Sequence, residues 1–364
     1  MTLVSSPPQP PNPRCRMKAW LVRLFAPRIA LRIAPASVRP SDAPAFAPAP
    51  SQPATPRTGV ALQPGDQASL DLEFLTWIAD GTEFVVAPAG QRERAGLAHL
   101  DRLIADEAAH HRLLPRVAAV IPPLLARLRN PALALSELSQ QVSRDVTLVA
   151  EVVRMANSAL YRRGESIVDL DQAIGRLGFD GLRRAITRAL LKPLIDARGG
   201  RLVTCSAQRL WDHSDKKAQL CAALARGVGI EPFEAYLAGL AHNAVWSAVL
   251  RALDEVDGSA PWRLSPAFVT ALGGRRDQLF AVVARQWQLA DGVSRAAADR
   301  AMSGAAAEMA APMRLLYAGD RLAWLLCAPD RDRAQALAAP WLRDANDAVR
   351  ACYQALEPEP AVAA

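Results

Sequence analysis

No two cysteines in this chain form a CxxC pair, and the five present, Cys15, Cys205, Cys221, Cys327 and Cys352, are odd in number and far apart. That spacing excludes a zinc knuckle and a thioredoxin-like dithiol. With no secretion-type leader in the sequence, the five are expected to be reduced and mostly buried. GxSxG, GxxxxGK[ST] and a GxGxxG following a strand are all missing, which excludes the usual signatures of acyl transfer and of nucleotide binding. No stretch reaches the ~20 uninterrupted apolar residues that a transmembrane helix needs. Histidine is scarce, with five in 364 residues (His99, His110, His111, His213 and His242) and none beyond His242.

Aromatic residues are only 5% of a chain that is 51% hydrophobic, so the core must be built largely from alanine and leucine. That favours helices packed on helices over a sheet sandwich, and an all-α body is expected. At 364 residues the chain is long enough for a large core plus appendages.

Its charge is unevenly placed. Up to Pro64, eight basic residues face one acidic residue, 8 − 1 = +7, which equals the net charge of the whole chain and leaves the remainder neutral. The pI of about 9.5 therefore describes a basic arm and gives little reason to read the body as a nucleic-acid platform. The same arm holds 14 of the 28 prolines. Residues 1–64 are expected to be a disordered, Pro/Ala-rich basic arm, polyproline-like over 35–64. Within it MKAWLVRLFAPRIALRIAP looks like an alternative start at Met17 followed by a basic, apolar segment. Its regular charges and Pro27 leave only a weak membrane-surface contact of residues 17–34 as a candidate role.

From about Leu70 the sequence reads as one helix after another. Leu97, Leu100, Leu103 and Ile104 make one helical face in LAHLDRLIADEAAHH, and His110-His111 reads as a polar helix end, because neighbours point about 100° apart. Pro122-Pro123 is expected to break LLPRVAAVIPPLLARLRNP internally, and Ser136 to cap ELSQQV. Asp145 is expected to cap VTLVAEVVRMANSALY, in which Val149, Val152, Val153, Ala156 and Leu160 share a face. Asp169 with Gln172 resembles a capping box opening LDQAIGRLG, which stops at Gly178, and Asp180 opens the next helix. EFVVA, residues 83–87, is the one strand candidate.

The run LSELSQQVSRDVTLVAEVVRMANSALYRRGESIVDLDQAIGRLGFDGLRRAI, residues 135–186, resembles the signature half of an HDOD domain, with its Asn-Ser turn and its QAI-x-x-LG segment. LWDHSDKKAQLCAALARGVGIEPFEAYLAGLAHNAV, residues 210–245, resembles the HD-derived half. The likeness runs over roughly residues 110–330; Val146 departs from it, standing where the family's motif has proline. Implied by the resemblance are an N-terminal helical half at 110–200 and an HD-like half at 201–330; a helical lead-in at 65–109 and a closing helix and tail at 331–364 are expected to flank it and complete the helical packing. The resemblance further implies a degenerate HD-superfamily scaffold that serves in bacterial signalling, in the cytoplasm, without phosphohydrolase activity.

HD chemistry requires a first His, a His-Asp pair and a distant Asp converging on one or two divalent cations that activate water. By resemblance His213 stands at the first position, His242 at the second and Asp320 at the last, while Asn243 replaces the carboxylate of the pair. An amide supplies one weak carbonyl oxygen and no charge. The expectation is an eroded remnant: no metal, no cofactor and no catalytic residue. His242 would then be a packed imidazole, Asn243 a partner for backbone or helix-end groups, and Asp320 a partner for Arg321 or Arg314.

In GLRRAITRALLK, Arg184, Arg188 and Lys192 recur at i, i+4 and i+8. They form a candidate docking stripe for an acidic helix, a phosphorylated receiver or a nucleotide, or else a solvated face. Arg154, Asn157 and Ser158 are further interaction candidates, with Asn157-Ser158 shaping the helix exit toward Tyr161 and Gly164. Three functions remain open: a non-catalytic regulatory module acting on an unknown signalling protein, with a homodimer as a candidate assembly; a residual metal-dependent phosphohydrolase using His213, His242 and Asp320; and a nucleotide or nucleic-acid binder using the basic helix or the arm. Stable nucleic-acid binding is not expected.

Overall fold

A computed structural model of the chain describes residues 64–79, 89–110, 121–130, 132–195, 199–257, 262, 264–303 and 308–358. The arm up to Gln63, with its linker and its membrane-contact segment, and the strand candidate at 83–87 lie outside the described residues. The described part is helical throughout. In chain order the helices are α1 (Pro64–Ile78), α2 (Gln91–Ala105), α3 (Ile121–Arg129), α4 (Leu135–Val142), α5 (Val146–Ala156), α6 (Leu170–Ile195) and α7 (Arg201–Leu224). They continue as α8 (Pro232–Asp257), α9 (Pro266–Gln286), α10 (Asp291–Ser303), α11 (Ala311–Cys327), α12 (Arg331–Asp344) and α13 (Asp347–Leu356). No helix among the described residues is long and apolar enough to cross a membrane.

Local chemistry sets several of these boundaries. Asp145 caps α5, its Oδ1 accepting from the amides of Thr147 (2.8 Å) and Leu148 (3.0 Å). Asp169 accepts from the Gln172 amide at 2.9 Å and opens α6. Gly178 interrupts α6 with φ 63° and ψ −169°, a backbone shape open almost only to glycine. Pro122 and Pro123 lie in the first turn of α3, where a missing N–H costs no hydrogen bond, and the stretch before them, 111–120, lies outside the described residues. One expectation needs correction. Ser136 is not a cap, since α4 starts one residue earlier with Ala134 at the cap position and no side-chain hydrogen bond there. The inward face of α5 is Leu148, Val152, Met155 and Ala156, so Met155 takes a place given to Val153 in the sequence reading.

Three helices position the site. Helix α7 packs most extensively against α8 and α11, and α8 is buried along almost its whole length from Phe233 to Leu253. Small residues allow the approach: a Cβ on Gly239 of α8 or on Gly319 of α11 would fall 3.1 Å or 2.5 Å from Cys221 Sγ on α7. The carboxylate of Asp254 on α8 accepts from the amides of Leu202 and Val203 at the start of α7 (3.0 and 3.1 Å), which fixes the register of the pair. Helix α9 closes over α8, and α1 lies across α7, where Phe74 reaches the His213 ring at a centroid distance of 4.5 Å.

Candidate functional site

His213 on α7, the adjacent His242 and Asn243 on α8, and Asp320 on α11 meet in the interior. His213 is 1% exposed, and His242 and Asn243 are 0%. The sequence reading had not singled out the group at their centre, Lys217. It lies one turn after His213 on the same face of α7 and is itself 0% exposed. Lys217 Nζ contacts His242 Nδ1 at 2.5 Å, Asn243 Oδ1 at 2.8 Å and Asp320 Oδ1 at 2.9 Å. Three acceptors match the three N–H bonds of an ammonium, whereas a neutral amine could serve only two. Burial pulls the Lys217 pKa down and the Asp320 carboxylate opposes that pull.

The rest of the hydrogen bonding follows from this arrangement. With Oδ1 held by Lys217, Asn243 turns its Nδ2 to His213 Nδ1 (2.8 Å) and to Ser214 Oγ (3.1 Å). His213 Nδ1 is therefore an acceptor, and its Nε2 donates to the backbone carbonyl of Asp320 at 3.1 Å. Burial lowers the His213 pKa to about 4. Burial, together with Lys217 and Arg276, lowers that of His242 to about 3. Both rings are neutral at neutral pH. The second nitrogen of His242 faces Asp277 Oδ1 at 3.9 Å, beyond hydrogen-bond reach.

A second layer neutralises the first. Arg276 Nη1 on α9 donates to Asp320 Oδ2 at 3.1 Å. Its neighbour Asp277 is bonded to Arg276 (3.1 Å), to Arg300 Nε of α10 (3.0 Å) and to the Tyr317 hydroxyl, which donates at 2.6 Å. Burial alone would raise the Asp320 carboxyl, but Lys217 and Arg276 hold it far below the usual carboxylate range. A small, partly open cleft borders this network, lined by His213, Tyr317 and Asp320 of the network and by Asp71, Phe74, Arg321 and Trp324. Arg321 and Asp71 face each other there at 3.7 Å.

Asp320 thus finds its cations in Lys217 and Arg276, not in the expected Arg321 or Arg314. Asn243 likewise serves side chains and not helix-end groups. A divalent cation at the centre would need lone pairs on His242, Asn243 and Asp320, and all three point at an ammonium that repels it. His213 Nδ1 is committed to Asn243. The residues present do not fit a metal ion, and among the described residues no three His, Cys, Asp or Glu side chains gather as a metal-binding group.

The other candidate residues lie elsewhere. The supposed docking stripe is turned inward: Arg188 is 7% exposed and pairs with Glu151 on α5 (3.1 Å) and Asp215 on α7 (2.9 Å). Arg184 reaches the Tyr161 hydroxyl (3.3 Å) and Gln219 (3.5 Å), and Lys192 stands 5.0 Å over the Trp211 ring. At its centre the stripe is neither a free docking surface nor a solvated face, because α5 and α7 bury Arg188, while Arg184 and Lys192 are half-buried. Arg154 is exposed and pairs with Glu151 on its own helix. Asn157 clasps Ile167 twice, Nδ2 to its carbonyl at 2.6 Å and Oδ1 from its amide at 2.8 Å. Ser158 Oγ donates to the Met155 carbonyl at 2.7 Å. Both shape the turn leaving α5.

A model of the HDOD domain matches residues 114–301, just over half of the chain. The protein belongs to the HDOD family. One curated relative, an uncharacterized protein of Treponema pallidum (strain Nichols), is 24% identical over 135 residues, 36% of this chain. That match spans only 25% of the relative's own length. Among solved structures, a candidate metal-dependent phosphohydrolase from Shewanella amazonensis SB2B aligns over 74% of this chain and 99% of its own, with TM-score 0.50 and 18% identity. An HDOD domain protein with unknown function from Geobacter sulfurreducens aligns over 62% and 77%, with TM-score 0.43 and 21% identity. At such identities the likeness is one of fold alone.

Proposed function

We propose that this HDOD protein is a non-catalytic regulatory module of a bacterial cytoplasm, acting through protein contacts on a degenerate HD scaffold. One observation carries the reading: the acceptor atoms of His242, Asn243 and Asp320 converge on Lys217 Nζ at 2.5–2.9 Å. A phosphohydrolase of this architecture needs a cation there to lower the pKa of a bound water. A fixed ammonium holds no water as a Lewis acid does, and the two neutral, buried imidazoles are held at Nδ1, His213 by Asn243 and His242 by Lys217.

The test is elemental analysis of the full chain purified without chelator, beside a hydrolysis assay on a generic phosphodiester with manganese added. We expect metal well below stoichiometric and no turnover above a no-protein control. Stoichiometric metal that disappears in His242→Ala, together with turnover, overturns the reading in favour of a residual phosphohydrolase.

A further inference from the structure

We propose that Lys217 is a resident cation: its ammonium fills the point at which this set of side chains would hold a divalent ion, and it makes the cluster complete without one. The inference rests on the non-catalytic reading above and adds to it the reason that a cation is refused. Lys217 springs from α7, while its three acceptors come from α8 and α11, so a single Nζ ties together the three central helices. Its environment is built for a cation. Two of the acceptors, Asn243 Oδ1 and Asp320 Oδ1, carry full or partial negative charge. The third, His242 Nδ1, is a lone pair kept unprotonated by burial beside Lys217 and Arg276.

The distances also suit replacement. Ligand bonds to small divalent metals are about 2.0–2.3 Å. The acceptors at 2.5–2.9 Å from Nζ would therefore close in by about 0.2–0.9 Å. Charge states the rest of the requirement. Removing the ammonium and converting the amide at position 243 to a carboxylate each subtract one positive unit, −1 − 1 = −2, which one divalent cation restores. Asn243→Asp alone does not meet it, because the new carboxylate would pair with Lys217.

The experiment compares the wild-type full chain, Asn243→Asp and Lys217→Ala/Asn243→Asp, each with manganese alone as probe, reading bound metal and Tm. We expect the double variant to hold stoichiometric manganese and to gain roughly 5 °C in Tm on adding it. The wild type and Asn243→Asp are expected to hold none and to show no shift. A folded double variant that refuses manganese overturns the resident-cation inference while leaving the non-catalytic reading intact. Manganese bound stoichiometrically by the wild type overturns both. Should the double variant fail to fold, Asn243→Asp decides, since Asp is isosteric with Asn: uptake by that single variant, with Lys217 in place, overturns the inference, and refusal supports it.

Discussion

Gly319 faces Cys221 so closely that a Cβ added to it would lie 2.5 Å from the cysteine Sγ. This contact sets how near α11 comes to α7, and it stands one residue before Asp320, the carboxylate that reaches Lys217. The absence of a side chain at position 319 is therefore part of the site. Gly319→Ala should cost about 1–3 kcal/mol through overpacking. Cys221→Ala in the same chain should recover much of that loss, giving a coupling of about 1 kcal/mol or more in a double-mutant cycle. Denaturant titrations of the four proteins measure it, and strict additivity would show that the two helices adjust elsewhere.

Acidification should destabilise the protein well above the carboxylate range. In an unfolded chain both site histidines titrate near 6.5, whereas folding holds His213 at about 4 and His242 at about 3. Between those values the unfolded chain binds protons that the folded chain refuses, so unfolding free energy rises with pH there and falls as pH drops from 6.5 toward 4. At about 1.4 kcal/mol per unit, His213 alone accounts for roughly 3 kcal/mol across its window. Asp277 and Asp320, both held low, act in the same direction only below about pH 4. Equal unfolding free energies at pH 7.5 and pH 4.5, measured by denaturant titration, would contradict the buried, neutral assignment of the two rings.

Asn157→Ala should destabilise the turn leaving α5. The substitution removes two hydrogen bonds of 2.6 and 2.8 Å and leaves the backbone amide and carbonyl of Ile167 without these partners. A cost of about 1–3 kcal/mol is expected, with faster amide exchange in the 157–168 segment. An unchanged exchange pattern would mean that water replaces the clasp at no cost.

Arg188→Met tests whether the inward basic residues of α6 are structural. Glu151 and Asp215 would lose their buried guanidinium, and an uncompensated buried carboxylate costs about 3–5 kcal/mol. The loss should show as a lower Tm in the isolated protein, with no binding partner present. Wild-type stability in this variant would return the stripe to the list of surfaces available to partners.

The helical repertoire, the caps at Asp145 and Asp169 and the break at Gly178 were legible in the sequence, because each depends on interactions within a few residues. So was the adjacency of an imidazole and a neutral amide at His242-Asn243, which needs no tertiary contact to be read. Lys217 was not legible in the same way. It stands four residues after His213, but next to Lys216, and adjacent positions on a helix point about 100° apart, so only the packing of α7 decides which lysine turns inward. The Arg184, Arg188 and Lys192 stripe illustrates the same limit: its spacing established a shared face, and α5 with α7 decided that Arg188 at its centre is buried. Local sequence fixes where a helix begins, where it ends and which residues share a side. Whether a charge on that side meets water, a carboxylate or three acceptors in the interior depends on the neighbouring helices, and for this protein that choice put an ammonium among His242, Asn243 and Asp320.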